Sequence, residues 1–220
     1  MLAALVVMAL SLRPMMAWGV IAPVNDGLDE ARLAQADSDE NLPDIVARLN
    51  QATDISSRSW MLQRYYSLAL VAQFRKTGET RDIVQAMDVV KKALAAAPAR
   101  SQLWILLAME QSMAGRPIDD VITSVRQSYL TGPHESYLSR QRAGLIFSNW
   151  HRMPADLRAQ AVSDAVELSS IAQIEAVYDF AFLFESLAPE PRKLVADQAL
   201  PTPARLQWYS TLLKRMRDTR

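Results

Sequence analysis

One ladder of small residues occurs twice in this chain: Gly78, Ala86, Val90, Ala93 and Pro98, then Gly115, Val121, Val125, Ser128 and Pro133. The last four positions of each set are spaced by four, three and five residues, and the two prolines fall 35 residues apart. Side chains three and four apart share a helix face, and small ones let a neighbouring helix approach closely. A glycine before such a helix and a proline after it mark its ends. A repeat of about 34 residues is the length of one helical hairpin, and a single hairpin cannot bury its apolar face alone. The ladder therefore predicts stacked antiparallel helix pairs.

Composition agrees with an all-α chain. Glycine is scarce at six, and Ala, Leu, Gln, Arg and Glu fill the periodic stretches, all good helix formers. At 220 residues the chain is long enough for one sizeable folded body. Its 24 basic and 24 acidic side chains cancel, so no global field exists to hold nucleic acid. The lack of cysteine excludes disulfides, thiolate metal sites and a cysteine nucleophile.

The body divides as 25–55, an acidic linker and lead-in helix, 56–170, the hairpins, and 171–220, capping helices. Asn41 and Pro43 open the lead-in helix, with Leu42, Ile45, Val46 and Leu49 on one face. Ser56 or Ser57 is expected to open the next helix, which carries Trp60, Met61, Tyr65, Leu68 and Ala72 to Gly78. Its mate runs from Thr80 toward Pro98. The second hairpin pairs a helix opened by Ser101, carrying Leu103, Trp104, Leu107 and Ala108, with a mate from about Ile118 to Tyr129. A third hairpin, Glu135 to Trp150 and Pro154 to Ser169, and two helical stretches, Ile171 to Leu187 and Pro203 to Arg217, follow.

Trp104, Leu107, Ala108 and Gly115, with Ala86, Val90, Ala93 and Pro98 in the preceding second helix, resemble the tetratricopeptide repeat (TPR) family. The resemblance covers about a third of the chain and implies a TPR-like α-solenoid of about three hairpins plus capping helices. It departs from the family at Gln111, where an aromatic is usual, at Asp120, where a small residue is expected, and at Ser67, where Trp belongs. A second resemblance rests on Leu12-Arg13-Pro14, Ala17-Trp18, Gly132-Pro133-His134-Glu135 and the run Arg142, Trp150, Pro154, Leu157, Arg158. This layout is similar to bacterial membrane-anchored repeat proteins associated with exopolysaccharide or surface-polysaccharide assembly, which implies a scaffold part and carries over no catalytic residue.

Residues 1–24 are almost wholly apolar and interrupted by Arg13-Pro14; together they reach the roughly 20 residues that cross a bilayer. No basic residue precedes the run, and the acidic stretch after it, Asp26 to Asp44, holds only Arg32. By the positive-inside rule this permits translocation of the body. The expectation is an inner-membrane N-terminal apolar helix with the body outside the cytoplasm, or a secreted body if a protease cuts after Val20-Ile21-Ala22. An apolar helix buried in the fold is the alternative.

Little in the chain points to chemistry. His134 and His151 are the only histidines, and they form no ligand pair, so no metal or cofactor is expected. There is no phosphate-binding glycine loop and no serine nucleophile elbow. Asp119-Asp120 and Glu185 with Glu190 are the carboxylate pairs available to a glycosidase. The first pair suits helix capping better, since negative charge is favoured at a helix N-terminus. The run Phe180 to Phe184 is apolar all round and belongs in a core or a docking surface.

These features predict a non-enzymatic protein-protein interaction scaffold of the cell envelope. Its partner surface is expected on exposed positions of the first helices, Gln63, Tyr66, Gln73, Gln111, Arg140 and Arg142. Lys214, Arg215, Arg217 and Arg220 are expected either to stabilise the last helix through its dipole or to meet lipid headgroups or an acidic partner. A helical glycan-binding or glycan-processing protein, marked by a cleft with two carboxylates beside an exposed Trp, and a soluble cytoplasmic TPR adaptor are the alternatives.

Overall fold

The computed structural model describes residues 14–22, 41–170 and 174–218. A short helix covers 14–21. Ten longer ones follow: α1 (Leu42–Ile55), α2 (Trp60–Thr77), α3 (Thr80–Ala96), α4 (Ser101–Met113), α5 (Ile118–Thr131), α6 (Ser139–Ser148), α7 (Ala155–Ser170), α8 (Ile174–Ser186), α9 (Pro189–Ala199) and α10 (Pro203–Asp218). No strand occurs among the described residues. The chain is all-α, and its consecutive helices are packed in pairs.

Local chemistry sets the helix ends. Ser59, and not Ser56 or Ser57, opens α2: its hydroxyl accepts from the Leu62 N–H at 3.4 Å, while 56–58 form a turn. Gly78 and Gly115 close the first helices of the two hairpins at φ 73° and 64°, the left-handed region that costs a residue with a Cβ about 1–2 kcal/mol. Their mates α3 and α5 carry acidic residues in the first turn, Asp82 in one and Asp119 with Asp120 in the other, where the helix dipole favours them.

Two compact units make up the chain, one ending at Gly132 and the other beginning at Pro133. In the first, each helix from α1 to α5 packs on the next, most extensively within the hairpins α2–α3 and α4–α5. The ladder is its seam. Ala86, Val90, Ala93, Val125 and Ser128 are fully buried and Val121 nearly so. Ser128, in the register of Ala93, has a hydroxyl that donates to the Ser101 carbonyl at 2.9 Å, which satisfies its polarity inside the seam. Trp104 donates its indole N–H to the Pro98 carbonyl at 2.8 Å, tying the turn between hairpins to the second one.

The helix over 14–21 belongs to this unit. Ala17 and Ile21 are fully buried in one cluster with Leu42, Ile45, Leu49 and Leu62, and Arg48 donates to the Val20 carbonyl at 3.3 Å. Among the described residues no helix is long and apolar enough to cross a membrane. Residues 1–13 and 23–24 of the expected N-terminal segment lie outside the described residues.

In the second unit α6 pairs with α7, and α7 also carries α8 and α9. Leu157, Ala161, Val162, Ala165 and Leu168 form the inward stripe of α7. The expected first arm, 135–150, is broken into a 3-10 turn at Ser136–Leu138, α6, and a second 3-10 turn at Trp150–Arg152. Tyr137, in the first of these turns, is 61% exposed, while Leu138 beside it is buried. α9 was not expected at all. Of the run 180–184, Phe180, Ala181, Leu183 and Phe184 are buried and Phe182 is half exposed. Phe180 and Phe184 stack at 5.5 Å, and the Tyr209 ring of α10 meets both edge-on.

Candidate functional site

Four of the six expected partner-binding residues lie in the first unit, and the fold gives them other work. α2 is covered by α1 on one side and α3 on the other, so few of its positions face water. Gln63 and Tyr66 are buried, which overturns their expected exposure. Gln63 donates to the Ser57 carbonyl at 2.6 Å, and the Tyr66 hydroxyl accepts from Gln85 at 2.6 Å. Burial raises the Tyr66 pKa, helped by Asp54 and Asp82. Gln73 is half-buried and donates to Asp82 at 3.0 Å, and Gln111 accepts from Ser124 at 2.8 Å. In the second unit Arg142 is among the largest fully buried side chains, again against expectation, while Arg140 is exposed and paired with Asp179 at 2.9 Å. Lys214 is exposed on α10; the side chains of Arg215, Arg217 and Arg220 lie outside the described residues.

The two departures from the repeat pattern noted at Ser67 and Gln111 are polar joints. Ser67 on α2 donates its hydroxyl to Glu110 on α4, and both are buried. Burial pushes the Glu110 carboxyl up to about 8, against the smaller opposing effects of Ser67 and Lys91, and its second oxygen has no protein partner. A bulky aromatic at 67 would collide with this arrangement, so the departure is a local exchange of apolar packing for a hydrogen bond.

A groove of about 520 Å³ opens in the second unit between α7 and α9. One wall is Ala155, Arg158, Ala159 and Val162, the i, i+3, i+4, i+7 stripe of α7; the other is Glu190, Leu194 and Gln198 at i, i+4, i+8 on α9. Trp150 closes one end. Its ring is buried, and the Arg158 guanidinium sits 5.2 Å from the ring centroid. No carboxylate pairs with Arg158 among the described residues, and two N–H groups of the lining, Trp150 Nε1 and Arg158 Nε, are buried with no partner in the protein. Glu190 lies 3.8 Å from the His151 ring at the rim. The groove thus combines an apolar floor with a cation held in place by an aromatic face.

Carboxylates are not paired here. Glu190 is the only one lining the groove among the described residues. Glu185 instead accepts from the Tyr209 hydroxyl at 2.7 Å, an arrangement that, with burial, raises the Tyr209 pKa, and it faces Arg192 at 3.9 Å. The cleft with two carboxylates and an exposed Trp expected of a glycosidase is not what these residues form, since Trp150 is buried and Arg158 covers it. Among the described residues no three His, Asp or Glu side chains converge as metal ligands would. Neither a protein-family model nor a curated protein matches the chain.

Proposed function

We propose that the protein is a non-enzymatic, TPR-like scaffold that holds a partner protein in the cell envelope, as an accessory part of exopolysaccharide or surface-polysaccharide assembly. The observation that supports it best is the α7–α9 groove, where Arg158, fixed on Trp150, has no carboxylate partner among the described residues. Two facing helix stripes separated by an apolar floor suit a peptide segment, with side-chain anchors repeating every turn. A carboxylate on that segment supplies the partner that Arg158 lacks, and the nearby orphan donors favour an acceptor-rich ligand. Within the second unit, the packing of α7 on α6, α8 and α9 supplies the frame such a role needs.

The membrane part of the reading draws on the apolar run of residues 1–24 and the weak basic content after it. Photocrosslinking in cells tests the proposal. A benzophenone side chain at Leu194 or Gln198 should give one discrete adduct with an envelope protein, and R158Q should reduce its yield at least tenfold. No adduct from either position, or one indifferent to R158Q, removes the groove as the partner site.

A further inference from the structure

The helix over 14–21 has two faces that the rest of the chain treats differently. Ala17 and Ile21 are fully buried in the core of the first unit, while Met15 is 71% exposed, Met16 60% and Trp18 38%. From Pro14 to Val24 the sequence offers no charged side chain, and the indole N–H of Trp18 is the only side-chain hydrogen-bonding group. The outward face is thus apolar along its length. It also continues a sequence run, Leu2 to Leu12, in which Ser11 is the only polar residue, with Arg13 at the junction.

We propose that this outward face lies in the headgroup region of a phospholipid bilayer, so that the helix is shared between the protein core and the lipid. The inference deepens the envelope-attachment reading and rests on it. Lipid is the occupant that fits the sequence: Met15, Met16 and Trp18 follow directly on the apolar run Leu2 to Leu12, and no charged side chain lies between Pro14 and Val24 to pair with a polar partner. Trp is enriched where apolar acyl chains meet water, which suits the exposed Trp18. A helix lying in the interface plane buries its apolar face by about 5–10 Å, which matches a helix whose opposite face is occupied by protein. The body of the first unit, into which Ala17 and Ile21 are packed, then rests directly on the membrane surface.

The absence of cysteine makes a site-specific probe straightforward. M15C and, as a control, L130C, whose native side chain is 73% exposed, are each labelled with an environment-sensitive nitrobenzoxadiazole dye in the full chain. Both are mixed with vesicles of phosphatidylcholine and phosphatidylglycerol. The expected result is co-flotation, a blue-shifted spectrum at position 15 only, and quenching there at least twofold stronger by lipids spin-labelled near the headgroup than by those labelled near the chain end. Co-flotation with a water-like dye at position 15 overturns the inference and leaves membrane attachment standing. Loss of flotation overturns both. A blue shift at position 15 that appears without vesicles and grows with protein concentration also overturns it, because the face then covers a second copy of the chain. Circular dichroism of both labelled chains checks that the fold is kept.

Discussion

Glu110 sits in an environment with a measurable consequence. Its carboxyl is held at about 8 by burial, against an ordinary value of 4.5, so the folded chain keeps a proton that the unfolded chain releases. The sign follows from linkage: this contribution to stability is fully present below about pH 4.5 and is lost as pH rises through about 8, by roughly 1.4 kcal/mol per pH unit between the two. E110Q keeps the acceptor for Ser67 and removes the ionisation. Chemical denaturation should therefore show E110Q more stable than the wild type by a few kcal/mol at pH 9 and within about 1 kcal/mol of it at pH 5. Equal stabilities at pH 9 would refute the buried-acid reading. The same burial explains why Gln63, Tyr66 and Arg142 were misread in the sequence. A polar side chain on an amphipathic pattern reads as exposed unless its partner is known, and Ser57 and Gln85 are visible as partners only once α2 is folded.

Helices were the most legible level, because their faces and ends depend on near neighbours in sequence. The ladder identified the seam correctly: Ala86 and Ala93 are fully buried where α3 meets its neighbours. A93L overfills that seam and should cost about 1–3 kcal/mol in chemical denaturation. At the turns, the Cβ added by G78A or G115A meets nothing within 4 Å, so any loss comes from the backbone alone. Each should lower stability by about 1 kcal/mol, with G78N milder than G78V because Asn tolerates the left-handed region. Equal losses for Asn and Val would mean that the turn does not need this conformation. Two failures were physical in origin. Ser56, Ser57 and Ser59 are equivalent as caps until one hydroxyl reaches the Leu62 N–H. α9 starts with Pro189 and Pro191, which read as breakers, although a proline in a first turn forfeits no helical hydrogen bond. Without α9 the sequence offers no second wall for the groove, although Trp150, Arg158 and Glu190 each stand out in it.

At the scale of the whole molecule, the third hairpin groups with the C-terminal helices, in a unit beginning at Pro133, and not with the first two hairpins. Periodicity cannot reveal this, since hairpins on either side of a boundary repeat alike. Each unit has buried apolar packing of its own, a cluster with Leu62 and Ile83 and another with Leu103 in the first and Phe180, Phe184 and Tyr209 in the second. Hydrogen exchange should register them separately. A93L is expected to raise exchange across α2 to α5 while leaving α7 and α9 unchanged, and F184A to do the reverse. Uniform deprotection by either substitution would show a single cooperative body. The burial of Ala17 and Ile21 has a further consequence for processing. A peptidase acting behind Ala22 would withdraw two plugs from the first unit and bare Leu42, Ile45 and Leu49 to water, so a body cut there is expected to be sticky and short-lived.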